Sequence, residues 1–290
     1  MIPVPDQRIL VTGASGGLGR AVVADLLDAG YAVVGADRVA PKQVPDGLET
    51  CHWDGRDVAA LTTAARGCSG LVHLAAIPHP GDHPDEVVFT NNTAATFAAL
   101  QAAMLAGITR VAIASSGSAY GSAWSPQPTH VRYVPVDEGH PLLNFDPYGL
   151  SKEVDERTAE MFSRRTGMSV AALRFHWIAT REEQLERVRV LHGDGNWPEQ
   201  LRELWGYVDR RDAARACRLA LETAEEWPYG FVPINIVAAD ALTERSVVEL
   251  LAEHAPEIEV HGPLAPRGGA FTIDRAADLI GWVPEHSWRD

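Results

Sequence analysis

Two side chains that can move a proton lie one helical turn apart near the middle of the chain. Tyr148 and Lys152 are four residues apart in the stretch 148–166, which we predict to be a helix, so both lie on one face of it. An ammonium group beside a phenol favours the phenolate, and a tyrosine in that setting can act as a general acid or base. Because Tyr-x-x-x-Lys pairs occur on many helices, this pair becomes a strong signal only together with the motifs around it.

Serines at the end of a predicted strand supply a second part of such a site. Residues 108–115 are predicted to form a strand, and Ser115 to Ser118 lie at its carboxyl end. Ligands of parallel sheets bind at that edge. A serine cluster can also be ordinary turn chemistry, and the tyrosine–lysine pair that follows decides in favour of a site.

The amino-terminal part of the chain predicts the element that would hold a dinucleotide beside these residues. A glycine-rich turn, residues 13–19, follows a predicted strand and opens a predicted helix. Gly13 allows the sharp turn, Gly16 allows the backbone to approach a pyrophosphate, and Gly19 allows the helix to pack closely on the sheet. The free N–H groups and the dipole at the helix start favour a phosphate there. We prefer this interpretation to an ordinary glycine-rich turn because strand and helix both flank it.

An acidic residue after the second predicted strand indicates which dinucleotide binds. Asp37 lies about twenty residues beyond the glycine-rich turn, where a carboxylate can accept hydrogen bonds from the ribose hydroxyls of NAD. Its charge would repel the 2′-phosphate of NADP, whereas Arg38 would attract it, so we expect NAD and regard NADP as less favoured. After the third predicted strand, Asp54 could bind the adenine amino group or merely close a turn, and both interpretations stay open.

Histidines near the fourth predicted strand, residues 71–76, receive different interpretations. His73 lies within the strand and is expected to be a paired core residue. His79 and His83 follow in a loop whose prolines prevent a helix that would align them, and no third ligand clusters with them. We therefore expect no metal site and expect His79 to contact a substrate.

Composition sets broad limits on the class of protein. The 290 residues are 46% hydrophobic, which suits one large α/β domain with a small lobe. The formal net charge of −14 argues against nucleic acid and anionic membranes as partners. Three scattered cysteines suit a reducing cytosol. No apolar run reaches the ~18 residues that span a bilayer, and the first residues lack a signal-peptide pattern, so we expect a cytoplasmic location.

In type and in order along the chain, the motifs described above resemble those of extended short-chain dehydrogenase/reductases of the NAD-dependent epimerase/dehydratase family. The resemblance covers about the first 175 residues and the tail 274–289. It implies that Ser116 polarises a substrate oxygen, that Tyr148 transfers the proton, and that Lys152 binds the nicotinamide ribose and tunes the tyrosine. The motifs are Thr12-Gly-x-x-Gly-x-x-Gly19, Asp37, Asp54, His73-Leu-Ala-Ala76, Asn92, Ser115-Ser116, Tyr148-x-x-x-Lys152 and Leu173-Arg174.

The resemblance also assigns cofactor and substrate contacts. It implies that Asn92 buttresses the cofactor and the active site, although an asparagine inside the predicted helix 85–106 could instead brace neighbouring loops. The substrate is expected to contact His79, Gly117, Ser118, His176 and Trp177. The cofactor is expected to contact Gly13, Ser15, Gly16, Gly17, Leu18, Asp37, Arg38, Asp54, Gly55, Leu74, Ala75, Ala76, Asn92, Ser115, Tyr148, Lys152 and Phe175.

The chain departs from the nucleotide-sugar members of the family after the predicted strand 169–175. Those members tend to follow the arginine of this strand with Asn and then Tyr-Gly-Pro, whereas Trp177 stands at the asparagine position here. This difference disfavours a nucleotide-sugar substrate. The charged segment 181–206 contains arginines that could bind a carboxylate or phosphate, or that could belong to a solvated helix face. The layout also resembles uronate dehydrogenases, except that Gly117-Ser118 replaces their Asn-His pair.

We therefore predict an α/β fold, a Rossmann-type doubly wound parallel sheet with a small C-terminal substrate lobe. The NAD-binding domain is expected to span residues 1–175, completed by about 207–237. The small substrate-binding lobe is expected to comprise residues 176–206 and 238–290. Helices 85–106 and 148–166 are candidates for a homodimer face.

The predicted function is hydride transfer between NAD and a hydroxyl or carbonyl carbon of a sugar or sugar acid. The expected partner is therefore a small sugar-type molecule, with no nucleic acid and no membrane. Two other hypotheses stay open: a nucleotide-sugar 4-epimerase or dehydratase with transiently reduced NAD, and a non-catalytic NAD(P)-sensing regulatory protein. Net NADH formation would support the first hypothesis over the second.

Overall fold

The computed structural model describes residues 7–126, 131–194, 200–226 and 228–290. In the first part of the chain, strands alternate with helices, as a parallel sheet with crossover connections requires. The predicted helix over 85–106 has these bounds in the structure. The elements are β1 (Arg8–Thr12), α1 (Gly17–Asp28), β2 (Ala32–Asp37), β3 (Leu48–His52), α2 (Val58–Ala64), β4 (Cys68–His73), α3 (Asp85–Ala106) and β5 (Arg110–Ser116).

The second part of the chain completes the sheet and builds a small lobe. A short 3-10 helix, Gly117–Tyr120, follows β5 directly. The other elements are β6 (Tyr133–Val134), α4 (Pro147–Thr166), β7 (Ser169–Phe175), β8 (Trp177–Ala179), α5 (Arg181–Asp194), β9 (Tyr207–Asp209), α6 (Arg210–Glu226), β10 (Phe231–Ile236), α7 (Val247–His254), β11 (Glu259–Val260) and α8 (Asp274–Ile280).

The main sheet has seven parallel strands in the order β10-β7-β5-β4-β1-β2-β3. Both faces are covered, and alternate residues of β1 show how. Ile9 and Val11 pack into a core with α1 and α6, whereas Leu10 packs on the opposite face with α2, α3 and α4. The structure thus confirms the predicted fold class, a Rossmann-type doubly wound sheet.

The direction of winding reverses between β4 and β1, which are neighbours in the sheet but far apart in the chain. Such a reversal opens a crevice at the carboxyl ends of the strands. The glycine-rich turn leaves β1 at this crevice. β4 ends at His73, three residues earlier than predicted, and the Leu74 N–H still donates to the Thr12 carbonyl of β1.

The small lobe has its own hydrophobic core over the carboxyl edge of the sheet. It includes Trp205 and Tyr207, Leu250 of α7, and Trp288 near the end of the chain. The connection between β5 and α4 contributes Val136 to the same core. Two short parallel pairs, β6 with β11 and β8 with β9, tie these segments together. Within the described residues, we find no helix that combines the length and the apolar character needed to cross a membrane.

Candidate active site

The start of α4 positions the tyrosine–lysine pair. Asp146 caps the helix by accepting a hydrogen bond from the Gly149 N–H at 2.8 Å, and Pro147 occupies the first turn. Tyr148 and Lys152 are both buried on the inner face, and Lys152 Nζ lies 5.8 Å from the centre of the Tyr148 ring. The structure therefore brings the two predicted groups together.

The Lys152 ammonium is held by two oxygen atoms. Nζ donates to the Ala114 carbonyl of β5 at 2.9 Å and lies 3.3 Å from Asp155 Oδ2. A buried charge of this kind needs such partners because it has lost its hydration. These contacts fix the ammonium between α4 and the end of β5.

Ser116 ends β5 and caps the short 3-10 helix that follows. Its Oγ accepts a hydrogen bond from the Ser118 N–H at 3.0 Å. A hydroxyl that accepts one hydrogen bond can still donate its own proton, so Ser116 can act as a donor to a substrate oxygen. Ser115 behaves differently, since its hydroxyl donates to Glu156 Oε1 at 2.6 Å.

A buried network lies behind these serines and reaches the small lobe. Arg174 of β7 donates to both carboxylate oxygens of Glu156 at 2.8 Å, a bidentate and charge-assisted pair. The same guanidinium donates to the Tyr120 hydroxyl at 3.1 Å. That hydroxyl in turn donates to Asn235 Oδ1 at 2.7 Å. This chain of contacts joins α4 to the border of the lobe.

The glycine-rich turn fits a dinucleotide. Gly13 has a φ of +70°, and a Cβ there would lie 2.9 Å from the Ala75 nitrogen. At Gly19 a Cβ would lie only 2.0 Å from the Gly13 carbonyl oxygen. Gly16 caps α1 with no side chain, so the first N–H groups of the helix are exposed to a phosphate. The turn therefore needs glycine for its shape and offers a phosphate cradle.

Asp37 lies beside this turn at the end of β2. Its carboxylate accepts hydrogen bonds from the Ser15 N–H at 2.9 Å and the Val39 N–H at 3.0 Å. It lines a cavity of about 220 Å³ together with Ser15 and Arg38. The two backbone donors hold the carboxylate next to the glycine-rich turn, where a ribose contact was predicted.

A larger cleft of about 780 Å³ runs from the glycine-rich turn to the small lobe. It collects most of the predicted site. The predicted cofactor residues that line it are Gly13, Gly16, Gly17, Leu18, Leu74, Ala76, Ser115, Tyr148, Lys152 and Phe175. Ser116 and the five predicted substrate residues, His79, Gly117, Ser118, His176 and Trp177, line it as well.

Four predicted cofactor residues, Asp54, Gly55, Ala75 and Asn92, line neither this cleft nor the smaller cavity. Asn92 clamps the loop after β4, since it accepts from the Ile77 N–H at 2.8 Å and donates to the Ile77 carbonyl at 3.0 Å. It also donates to Ser151 Oγ of α4 at 3.1 Å. In the structure it therefore braces the loop against α4.

Asp54 closes a turn. Its Oδ1 accepts from the backbone N–H groups of Arg56 at 2.9 Å and Asp57 at 3.2 Å, and these bonds lower the pKa of its carboxyl. The adenine contact stays a prediction for Asp54 and for Gly55. Ala75 backs Gly13 through its backbone nitrogen.

Two buried histidines border the site in different ways. His73 contacts the hydroxyls of Thr12 at 2.7 Å and Thr96 at 3.2 Å, as a paired core histidine. Burial lowers the pKa of His73 to about 3. His176 packs against Phe271 with ring centres 3.9 Å apart, and its Nε2 has no hydrogen-bond partner among the described residues. Burial, followed by the charge of Arg174, lowers the pKa of His176 to about 3, so both rings are neutral.

Sequence reasoning missed several residues at the lobe end of the cleft. Trp124 is 43% exposed on the rim, and its ring centre is 6.5 Å from that of His79. No motif identifies it, because it lies in an irregular connection. Gln200, Arg202, Glu203 and Phe271 also line the cleft without any sequence signal beyond the charged character of residues 181–206. Among the described residues, no group of three or more His, Cys, Asp or Glu side chains could hold a metal ion.

A Rossmann sheet whose glycine-rich turn shares one cleft with a Tyr–Lys helix and a strand-end serine defines a short-chain dehydrogenase/reductase. Residues 9–236 match the model of the NAD dependent epimerase/dehydratase family, and the chain belongs to this family. It is an NAD-dependent enzyme of the dehydrogenase/epimerase type.

Known relatives catalyse different reactions. The chain is 28% identical over 240 residues to L-arabinose 1-dehydrogenase (NAD(P)(+)) of Haloferax volcanii, covering 80% of this chain and 89% of that protein. It is 24% identical to UDP-glucose 4-epimerase of Corynebacterium glutamicum, covering 97% and 92%. A short-chain dehydrogenase/reductase superfamily protein from Agrobacterium tumefaciens with bound NAD aligns with a TM-score of 0.71 and 25% identity, covering 98% and 94%.

Proposed function

We propose that the chain is an NAD-dependent dehydrogenase that oxidises a hydroxyl-bearing carbon of a free sugar or sugar acid. The observation that carries this proposal is a cluster at the lobe end of the cleft. The Arg187 guanidinium stacks on the Trp177 ring at 4.3 Å and also binds Glu203. This cluster stands where nucleotide-sugar members of the family have an asparagine. Because it fills that region with side chains, it favours a small substrate.

Bound NAD would supply the hydride acceptor, held by the glycine-rich turn and by Asp37. The Tyr148 hydroxyl, as phenolate, would remove the proton of the substrate hydroxyl while hydride leaves the same carbon. Ser116 would donate its free hydroxyl proton to the oxygen that becomes a carbonyl. Lys152 would stabilise the phenolate through its charge and bind the nicotinamide ribose.

Trp124 and Arg202 suggest how a sugar acid would be recognised. An exposed tryptophan on the rim offers a flat apolar face on which a sugar ring can stack. Arg202 is half-buried in the cleft wall, and no carboxylate of the described residues lies within ion-pair distance of it. Arg187, in contrast, is committed to Trp177 and Glu203. Arg202 would therefore be the cation that meets a carboxylate or phosphate on the substrate.

Absorbance at 340 nm tests this proposal directly. Purified protein with NAD is assayed against neutral aldoses, uronic acids, sugar phosphates and UDP-sugars, with Tyr148→Phe as the inactive control. Net NADH formation with a free sugar or sugar acid is the expected result. Epimerised UDP-sugar without net NADH would instead establish the 4-epimerase hypothesis, which the Corynebacterium relative supports. NAD binding with no turnover of any of these compounds would favour the sensing hypothesis.

A homodimer would bury an apolar surface that α3 and α4 leave exposed. Val87, Phe97 and Leu105 of α3 and Leu150 of α4 are each at least 39% exposed. Large exposed apolar side chains on adjacent helices are typical of a contact between protein chains. Sedimentation equilibrium would test this proposal.

The free thiols of the three cysteines suit our proposal of a cytoplasmic location.

A further inference from the structure

Two adjacent carboxylates, Asp155 and Glu156, lie on the inner face of the catalytic helix. Asp155 is three residues beyond Lys152, and its exposed fraction is 1%. Glu156 is 5% exposed. The proposed function uses neither group, yet a buried carboxylate is costly unless a partner compensates its charge.

The two carboxylates are compensated differently. Glu156 has a complete set of partners, since Arg174 binds both of its oxygens and the Ser115 hydroxyl donates to Oε1. Asp155 has Lys152 Nζ at 3.3 Å from Oδ2, while its Oδ1 is buried with no hydrogen-bond partner in the described part of the chain. Burial raises the pKa of Asp155 to about 6, and the charge of Lys152 opposes this rise. The charge of Asp155 thus depends mainly on the same ammonium that faces Tyr148.

We propose that Asp155 is a positioning residue whose carboxylate offsets part of the charge of Lys152 and thereby sets the pH range in which Tyr148 gives up its proton. The ammonium lies between two acidic groups of the same helix, the phenol and the carboxylate. An anion at Asp155 reduces the positive potential that Lys152 exerts on the phenol. Tyr148 therefore holds its proton more tightly than it would beside an isolated lysine.

The other groups packed around Lys152 and Asp155 are either uncharged or already paired with an opposite charge. The Ala114 carbonyl of β5 and the neutral His73 of β4 face Lys152. The Thr96 hydroxyl of α3 faces the Asp155 carboxyl, and Glu156 is paired with Arg174. Of the titratable groups described around Lys152, Asp155 is thus the one whose pKa, raised to about 6 by burial, puts a change of charge near neutral pH.

A tyrosinate titration reads the phenol directly. The chain has six tyrosines, and in the five others the pKa is raised, chiefly by burial, reaching about 12 in Tyr31 and Tyr120. A tyrosinate step at 295 nm that precedes the steps of these five groups can be tested for its origin by substituting Tyr148. Protein saturated with NAD is titrated upward from pH 6, and loss of the first step in Tyr148→Phe assigns it.

Asp155→Asn should lower the midpoint of that first step by about one pH unit, because it removes one buried negative charge while keeping the shape of the side chain. The matched control is Glu160→Gln, which removes a negative charge from the outer part of the same helix, where Glu160 pairs with Arg157 and Arg164. The control should leave the midpoint unchanged. Asp155→Ser provides a second variant if the asparagine variant does not fold.

The proposal rests on the proposed role of Tyr148, but its test needs no substrate. A midpoint equal to that of the wild type in a folded Asp155→Asn or Asp155→Ser variant would overturn it. Weaker NAD binding in calorimetry together with an unchanged midpoint of the tyrosinate step would also overturn it, because that pattern indicates a purely structural role of Asp155. If the proposed sugar oxidation fails while the midpoint shifts, the charge relation holds and only the assigned reaction falls. Where a substrate is known, the rising limb of kcat/KM against pH should move down by the same amount.

Discussion

The two ends of the cleft are formed by different kinds of group, backbone atoms at one end and side chains at the other. At the cofactor end, backbone groups form the site: the glycine-rich turn presents N–H groups, and Asp37 is fixed by the N–H groups of Ser15 and Val39. At the lobe end, side chains such as Trp124, Trp177 and Arg202 line the wall. Backbone geometry depends on a few glycines at fixed spacing, whereas a wall of side chains can change one residue at a time. The first end therefore defines the family, and the second would define the substrate.

The largest effect should come from the group between these ends. Tyr148→Phe removes the proposed acid–base hydroxyl and little volume, so kcat should fall by about 10²–10⁴-fold. The NAD dissociation constant and the thermal unfolding midpoint should stay close to wild type. Retention of more than a tenth of the activity would refute the assigned role of the tyrosine.

Breaking the cofactor end should affect NAD and leave the lobe end intact. Gly13→Ala places a methyl group 2.9 Å from the Ala75 nitrogen at a φ of +70°. Because this clash displaces the turn that would hold the pyrophosphate, the NAD dissociation constant should rise by about 10-fold in calorimetry.

Gly30→Ala is the matched control for this change. Its φ is +91°, but a Cβ there meets nothing within 4 Å. It should lower stability through the same kind of backbone strain and leave NAD affinity unchanged. Equal NAD affinity in both variants would show that the close approach at Gly13 has no bearing on the cofactor.

Acid should destabilise the fold by protonating His176, a buried residue of the cleft wall. In the unfolded chain its pKa is near 6.5, and in the folded chain burial lowers the pKa to about 3, so stability is full above pH 6.5 and is lost as pH falls below it. At pH 5 the loss should be about 2 kcal/mol.

His176→Phe should remove this part of the acid sensitivity in denaturant unfolding at pH 8 and pH 5. His52→Gln, at an exposed histidine of β3, is the control and should leave the pH dependence of stability unchanged. An identical pH dependence in wild type and His176→Phe would mean that His176 is not the titrating group.

The smallest expected effect concerns substrate recognition at the lobe end of the cleft. Arg202→Met should raise KM about 10-fold for a substrate that carries a carboxylate or phosphate, and should leave KM for a neutral sugar unchanged. Arg189→Met, at an exposed arginine of α5, should change neither value. Equal losses on acidic and neutral sugars would indicate that Arg202 supports the wall without reading the substrate's charge.

The same contrast explains what the sequence could predict. The fold and the region around Gly13, Asp37, Tyr148 and Lys152 depend on short-range rules of turn, strand and helix, so local spacing is enough to place them. Trp124 and Arg202 reach the cleft from irregular segments, and their position depends on packing between residues far apart in the chain. Asp54 shows that a correct position does not fix a role. A carboxylate after a strand can bind a ligand or cap its own turn, and its position in the sequence is the same in both cases.

The bidentate contact of Arg174 with Glu156, continued to the Tyr120 hydroxyl, has a mechanical consequence. It joins α4 to the entrance of the lobe through charged groups that are shielded from water, so these two parts can separate only by exposing a buried ion pair. Any opening that admits a substrate should therefore come from the opposite wall, around α5 and residues 200–206. Proteins of this layout would keep their reacting groups aligned while only one side of the cleft moves.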